Sequence, residues 1–323
     1  MRFVAHAFAA CLLANTGLHS AVHAQAYPQK PVRLVVPFAP GGTTDILARL
    51  VGQKLTPVLG QTVFVENRPG ANGAVGSELV AKSAPDGYTL IMGYLGSLAI
   101  NPHLYSKLPY DSVRDFAPVT LVAATAQAIV VHPALPPSCV ELIALAKRQR
   151  GQITYASAGI GSPSHLAGEL FKMMAGVDIV HVPYKGSGAV MSDLIGGHVA
   201  MSFGGLAAAM PHVKSGRLRL LAVTTARRSS AVPQVPTVAE SGVPGFDVSS
   251  WFGVLAPAAT PRDAIDRLHV EIARVLAAKD VKERLAADGA EPVGNTPQEF
   301  AAFIRAELVK WGKVVKGTGI RPE

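Results

Sequence analysis

Two turns in the sequence combine glycine with small hydroxyl residues in a pattern that suits the binding of a carboxylate. Residues 40–45 read PGGTTD and residues 157–165 read SAGIGSPSH. Each turn follows an apolar strand pattern and precedes a helical pattern, so each is predicted to form a helix N-terminus. The first N–H groups of a helix have no intrahelical partner, and glycine lets an anion approach them closely. Each turn alone also fits an ordinary helix start, but two of them in separate halves of the chain favour a ligand cleft.

The residues of these turns that can transfer a proton are Asp45 and His165. Asp45 is expected either to accept hydrogen bonds from its own loop or to meet a ligand amine. His165 is expected either at the site or in helix packing. An enzyme acting on a small carboxylic acid in this cleft would need a general base, and these two residues are the candidates for it.

Patterns typical of other chemistries are missing from the sequence. There is no H-E-x-x-H, no P-loop, no G-x-S-x-G and no paired Cys/His spacing. The G-x-G after Ala158 lacks the third glycine and the acidic residue of a dinucleotide site. No basic and aromatic stripe suggests nucleic acid. The sequence therefore predicts no metal, no cofactor and no nucleic-acid partner.

The elements that must position these turns alternate between short β-rich runs and helical patterns from Val32 onward. This alternation predicts an α/β fold with a mostly parallel sheet. The long apolar run at 120–133 could leave a first sheet and enter a second. Trp251 and Phe252 are expected to pack at a hinge where the chain returns. Two closing helices are predicted, capped by Thr260 and Thr296, each followed by proline and then by an acid.

Length and composition fit a folded protein with two domains. The chain has 323 residues, of which 49% are hydrophobic and 16% are charged. Its net charge of +8 does not repel an acidic ligand, although such a charge also fits a merely solubilising surface. Two cysteines, Cys11 and Cys139, are too few for a disulfide framework.

The first 26 residues read as a secretory signal. Arg2 precedes an apolar stretch from Phe3 to Leu13, and Ala24-Gln25-Ala26 offers a small-residue cleavage site. The apolar stretch is too short to span a bilayer. We therefore expect cleavage after Ala26, with Ala24 as the second choice, and a location outside the cytoplasm.

Six blocks of the sequence resemble a known family. They are YPQKPVRLVVPFAPGGTTD, VENRPGANGAVGSELVAKSAPDGYTL, YDSVRDFAPVTLVA, YASAGIGSPSHLAGELF, HVPYKGSGAVMSDLIGGHVAMSF and VPTVAESGVPGF. Together they resemble the Bug (TctC-like) extracytoplasmic solute receptors of tripartite tricarboxylate transporters. The resemblance implies a periplasmic-binding-protein type II fold, with two α/β lobes and two strand crossovers that form a hinge. It also implies a monomeric periplasmic receptor, not an enzyme, that closes over a small carboxylate and presents it to membrane subunits.

The same resemblance implies a set of ligand-binding residues. The first loop corresponds to Phe38, Ala39, Gly41, Gly42, Thr43, Thr44 and Asp45, and the second to Ser157, Ala158, Gly159, Gly161, Ser162 and His165. The strand ends near Ser97 and Phe203 are expected to line the pocket as well. Ala39 replaces a proline found in many members, which slightly loosens the first loop.

The resemblance and the strand pattern together predict the lobe boundaries. Lobe 1 is expected at 27–123 plus 252–323 and lobe 2 at 124–251, with hinge crossovers near Val122 and Trp251. Two other functions stay open for such a cleft. One is a carboxylate receptor that feeds a sensory pathway, and the other is an enzyme acting on a small acid.

Overall fold

The computed structural model describes residues 27–184, 187–287, 289–318 and 320. The predicted export signal at 1–26, together with Cys11, lies outside the described residues. Lys185, at the turn between β6 and α6, lies outside them as well. None of the helices within the described ranges is long and apolar enough to cross a membrane.

Strands and helices alternate through most of the described chain. The strands are β1 (Val32–Val36), β2 (Val63–Asn67), β3 (Thr89–Tyr94), β4 (Phe116–Val131), β5 (Thr154–Ser157), β6 (Val180–Pro183), β7 (Met201–Gly205), β8 (Arg219–Val223), β9 (Ser249–Pro257) and β10 (Ala290–Pro292). The α-helices are α1 (Thr43–Leu59), α2 (Ala74–Ala81), α3 (Asn101–Leu104), α4 (Cys139–Arg148), α5 (Pro163–Ala175), α6 (Ser187–Ile195), α7 (Leu206–Lys214), α8 (Arg262–Ala277), α9 (Lys279–Ala287) and α10 (Pro297–Thr318). A 3-10 turn at Ala71–Gly73 precedes α2, and a π-helical turn at Gly96–Ile100 leads into α3.

The strands form a mixed sheet in the order β2-β1-β3-β9-β4-β7-β5-β6, with β8 and β10 also paired to β4. The outer βα units are parallel, since β1 pairs with β2 and β3 and β5 pairs with β6 and β7 in that sense. The central pairings of β9 and β4 are antiparallel. The prediction of a mostly parallel sheet was therefore wrong at the centre. There the long strand β4 passes from one half of the sheet to the other and pairs with its neighbours in the antiparallel sense, without a βαβ crossover.

Strand β4 belongs to both halves of the sheet. Its residues 116–126 pair with β9, and its residues 127–131 pair with β7. The prediction that the apolar run at 120–133 passes from one sheet to another is thus confirmed. The change of partner falls at Gln127.

Packing of α10 holds the return strand β9 in place. Trp251 of β9 is fully buried, and its Nε1 donates to Glu307 Oε2 at 2.9 Å. Trp311 Nε1 donates to the same oxygen, also at 2.9 Å. Two indoles on one buried carboxylate join β9 to α10, so the predicted packing role of Trp251 is confirmed.

The C-terminal region contains three helices where the sequence pattern predicted two. Thr296 forms the expected capping box of α10, because its Oγ1 accepts from Glu299 N–H at 3.2 Å and its own N–H donates to Glu299 at 2.8 Å. The prediction for Thr260 was wrong. Helix α8 begins one residue later, after Pro261, and the buried Thr260 hydroxyl has no hydrogen-bond partner among the described residues.

Candidate functional site

A cavity of about 490 Å³ lies where the two halves of the sheet meet. Its walls come from the β1–α1 loop, the β5–α5 loop, the starts of α6 and α7, the start of β9 and the part of β4 near Gln127. This volume is in the ordinary range for small-molecule sites. The cavity therefore joins both glycine-containing turns that the sequence singled out.

The first turn brings the N-terminus of α1 to the cavity. Gly42 is the N-cap residue and makes no side-chain cap, while Gly41 before it has a φ of 88°. That conformation favours glycine. Gly42, Thr43 and Thr44 line the cavity, and the first-turn N–H groups have no intrahelical acceptor.

Asp45 lies outside the cavity wall and stabilises this turn through hydrogen bonds. Its carboxylate accepts from Gly41 N–H at 3.0 Å, from Arg49 Nε at 2.9 Å and from Asn67 Nδ2 at 2.9 Å. These hydrogen bonds, the one from Arg49 first, lower the pKa of Asp45 to about 2 despite its burial. The first of the two expected roles is therefore the one observed: Asp45 accepts from its own loop.

The second turn brings the N-terminus of α5 to the same cavity. Ser162 caps the helix by accepting from His165 N–H at 3.3 Å, and Ser164 Oγ accepts from Ala158 N–H at 3.0 Å. Ala158, Ser162, Pro163 and Ser164 line the cavity. Hydroxyl groups and the start of α5 therefore face α1 across the opening.

His165 supports this second turn from the protein interior. Its Nδ1 accepts from Gly161 N–H at 3.0 Å, and its ring stacks on His181 with centroids 3.8 Å apart. Burial, with the neighbouring His181 and Lys172, lowers the pKa of His165 to about 3. An Nδ1 that accepts a hydrogen bond carries no proton, so the imidazole is neutral with its proton on Nε2.

Two further helices begin at the cavity. Ser187, the first residue of α6, lines it together with Val190 and Met191. Gly204 and Gly205 line it at the end of β7, and Gly205 is the N-cap residue of α7 without a side-chain cap. N-cap or first residues of four helices therefore line one cavity, and the N-terminus of a helix is the positive end of its dipole.

The sequence-predicted residues divide between the wall and the layer behind it. The cavity wall includes Phe38, Gly42, Thr43, Thr44, Ala158, Ser162 and Phe203. The residues outside that wall are Ala39, Gly41, Asp45, Ser97, Ser157, Gly159, Gly161 and His165. Several of these residues make hydrogen bonds behind the cavity wall. Ser157 Oγ bonds His181 Nε2 at 2.6 Å, and Ser97 Oγ donates to Tyr94 O at 3.1 Å.

Several wall residues were not expected from the sequence. Thr125 and Gln127 of β4, Ser202 of β7 and Ser250 of β9 supply polar groups at the floor. They lie inside apolar strand runs, where no local signal distinguishes a floor position from a core position. Asn72 also lines the cavity, with a φ of 50° and a side chain that donates to Asn101 at 2.9 Å.

An aromatic wall faces these polar groups. Phe38 meets Tyr94 edge to face at a centroid distance of 5.4 Å, and Tyr94 stacks on Phe252 at 5.1 Å. All three residues line the cavity. Phe252, expected to pack at the hinge, therefore also contributes to the wall.

No charged side chain lines the cavity among the residues that the structure describes. Recognition of an anion here would rest on backbone N–H groups, hydroxyls and helix dipoles. Within the same described ranges, no cluster of three or more His, Cys, Asp or Glu side chains is placed to hold a metal ion.

The chain is similar in sequence to proteins of a known family. Residues 47–320 match the family described as "Tripartite tricarboxylate transporter family receptor". The chain is 40% identical to Protein BugT of Bordetella pertussis over 311 residues, which cover 96% of this chain and 95% of that protein.

Two solved structures share the fold over nearly their whole length. The structure of R. palustris Rpa4515 with adipate is 40% identical, with a TM-score of 0.80, and the match covers 92% of this chain and 100% of that one. The periplasmic binding protein BugD is 35% identical, with a TM-score of 0.76 and the same two coverages. The predicted periplasmic-binding-protein fold with two α/β lobes is confirmed by these matches.

Proposed function

The chain belongs to the tripartite tricarboxylate transporter receptor family, the Bug (TctC-like) solute-binding proteins, and from that membership we propose the function of its cavity. It is a periplasmic receptor that closes over a small carboxylate and delivers it to the membrane subunits of a tripartite tricarboxylate-type transporter. The observation that carries this proposal is the convergence of four helix N-termini on a cavity whose described wall has no charged side chain.

The energetics of such a site are sufficient for useful affinity. A hydrogen bond to a charged group contributes roughly 1.5 to 3 kcal/mol, and micromolar binding requires about 8 kcal/mol. Four or five directed N–H and O–H donors contribute roughly 6 to 15 kcal/mol, and the upper part of this range exceeds 8 kcal/mol by several kcal/mol, which offsets part of the cost of ordering the ligand. The presence of adipate in the Rpa4515 structure supports a carboxylate ligand here.

Closure of two lobes is the second part of the proposal. We assign lobe 1 to 27–123 plus 252–323 and lobe 2 to 124–251, joined by β4 and β9. The starts of α1 and α5 then come from different lobes, so an anion held by both stabilises the closed form. The membrane subunits of the transporter would bind the closed form.

Catalysis receives no support from the site. The two candidate bases, Asp45 and His165, lie outside the cavity wall and already accept hydrogen bonds from Gly41 and Gly161. A carboxylate with a pKa of about 2 and a buried imidazole with a pKa of about 3 are both poor bases near neutral pH. We therefore propose a binding role without turnover.

The experiment that tests the receptor proposal removes one backbone donor. Thr43 is the first residue of α1, where proline is tolerated, and Gly42 before it has φ −82° and ψ 169°, which proline permits. Thr43→Pro deletes the Thr43 N–H and the hydroxyl, whereas the control Thr43→Val deletes only the hydroxyl. Calorimetry with a panel of small carboxylates should show binding by wild type and about tenfold or greater weakening in Thr43→Pro.

Thr43→Val should lose clearly less affinity than Thr43→Pro. Equal affinities for Thr43→Pro and wild type would show that the α1 amide does not bind the anion. Failure of the wild-type protein to bind any acid of the panel would count against the receptor function itself.

A further inference from the structure

The second half of the sheet, from Gln127 onward, is rich in basic residues at the end opposite the cavity. Strand β4 ends at Val131, which pairs there with Met201 of β7 and Arg219 of β8 in the antiparallel sense. Strands β5 and β6 run parallel to β7. The end of β4 and the starts of β5 to β8 therefore lie together. The opposite ends of β5 and β7 lead into the turns that line the cavity.

Hydrogen bonds join the turns at this end of the sheet. Gly151 N–H, in the turn after α4, donates to Asp178 O, in the turn after α5, at 3.0 Å. Arg219 Nη1, at the start of β8, donates to Leu135 O, in the loop after β4, at 2.7 Å. The turns that follow α4, α5 and β4 and the strand that follows α7 thus belong to one surface.

Six basic side chains lie on this surface and make no ion pair within the described ranges of the chain. We call them the basic end: Lys147, Arg148, Arg150, Lys214, Arg217 and Arg219. All are exposed except Arg219, which is half-buried. The acidic side chains of the same region are Glu141, in the first turn of α4, and Asp178. Six cations against two carboxylates leave four positive charges, half of the net charge of +8 of the whole chain.

Stabilisation of helix ends accounts for only part of this charge. Lys147, Arg148 and Lys214 lie in the last turns of α4 and α7, where a cation offsets the negative end of the helix dipole. Arg150 and Arg217 lie beyond those helices and are exposed. Cations gathered on one surface repel each other, and a partner of opposite charge removes that repulsion.

We propose that the basic end is a docking surface for an anionic phospholipid membrane. A lipid surface is extended and carries many negative charges, so it meets cations from separate turns at the same time. The sequence has no basic and aromatic stripe of the kind that binds nucleic acid. Each Lys or Arg near an anionic membrane strengthens binding about fivefold, so the contact is weak and reversible.

The purpose of this contact rests on the proposed receptor function. A periplasmic receptor that delivers its ligand to membrane subunits gains from staying near the membrane. The basic end and the cavity lie at opposite ends of β5 and β7, so docking leaves the cavity free.

The test measures binding to lipid vesicles by co-sedimentation. The protein is recovered from the periplasm, and its mass is checked for the absence of residues 1–26, because their apolar stretch would itself bind lipid. Vesicles of phosphatidylglycerol mixed with phosphatidylcholine should bind the protein, and vesicles of phosphatidylcholine alone should not. Binding should weaken as salt is added, because salt screens charges at an exposed surface.

Two double variants with the same change in net charge assign the binding to this surface. Arg150→Gln combined with Arg217→Gln removes two cations of the basic end and should weaken vesicle binding about 25-fold. The control combines Lys107→Gln with Arg305→Gln, two exposed basic residues elsewhere that make no ion pair among the described residues. It should weaken binding less than about threefold. Thermal melting confirms that both variants are folded.

The outcomes separate this inference from the receptor proposal. Failure to bind anionic vesicles would overturn the inference, and so would equal losses in the two double variants, which would mean that net charge alone drives binding. The variant with Arg150→Gln and Arg217→Gln should bind the carboxylate panel as the wild type does. Failure of the wild type to bind any of those acids would overturn the receptor proposal, while vesicle binding that depends on Arg150 and Arg217 would still support the docking surface.

Discussion

At the scale of single residues, two ionisable groups next to the cavity, Asp45 and His165, hydrogen-bond to the backbone of the loops that form it. Asp45 accepts from Gly41 N–H and His165 accepts from Gly161 N–H, so each stabilises one of the two glycine-containing turns at the cavity. Both depend on a particular protonation state, anionic for Asp45 and neutral for His165. The shape of the site is therefore linked to pH through residues outside its wall.

The sign of this linkage for His165 follows from its lowered pKa. Between about pH 6.5 and pH 3 the unfolded chain takes up a proton that folded His165 does not, so stability falls as the pH falls. His165→Gln removes this titration, although it costs stability at pH 7 by losing the stack on His181. Between pH 7 and pH 4 we expect the free energy of unfolding of the wild type to fall more steeply than that of His165→Gln, by up to about 1.4 kcal/mol per pH unit.

Urea denaturation at several pH values measures this difference in slope. The exposed His198→Gln is the matched control and should retain the slope of wild type. Parallel curves for wild type and His165→Gln would contradict the assignment of a buried neutral imidazole.

At the scale of elements, the threonines before α8 and α10 differ although their sequence contexts are alike. Three hydrogen bonds join Thr296 and Glu299, whereas the buried Thr260 hydroxyl has no partner in the described part of the chain. Thr296→Ala should cost about 1 kcal/mol of unfolding free energy. Thr260→Val, which removes a buried unpaired hydroxyl, should be neutral or stabilising by up to about 1 kcal/mol. Thermal denaturation of both variants checks this contrast, and a greater loss for Thr260→Val would refute it.

The elements that the sequence predicted well are those with strong local signals. The strand before Gly41 and the helix after it were found because apolar periodicity and glycine breaks mark them within a few residues. The third C-terminal helix, the short strand β10 and the π-helical turn at Gly96–Ile100 have no such signal. The antiparallel centre of the sheet depends on contacts between distant segments, which no local pattern specifies.

The residues of the candidate site also divide into those with a local sequence signal and those that only the tertiary structure brings to the cavity. Gly42, Thr43 and Ser162 were predicted because a helix start near glycine has a recognisable sequence. Gln127, Ser202 and Ser250 reach the cavity only because β4, β7 and β9 meet there. Within an apolar strand, whether a polar residue faces a cavity or a packed core is decided by the tertiary structure.

At the scale of the whole molecule, the pairing of β4 with strands of both halves explains how two turns about 120 residues apart come to line one cavity. Residues 116–126 pair with β9 and residues 127–131 pair with β7, so one continuous strand, β4, connects the two halves of the sheet. In the closure that we propose, a rotation of one half against the other would change the distance between the starts of α1 and α5.

A crystal structure of the protein with a bound small carboxylate is the most direct test of this account. It should place one carboxylate group within 2.7 to 3.2 Å, the ordinary hydrogen-bond range, of first-turn N–H or hydroxyl groups of both α1 and α5. It should also show the two halves of the protein closer together than in a crystal structure determined without ligand. A carboxylate bound by only one of these helices, or outside the cavity, would contradict the account.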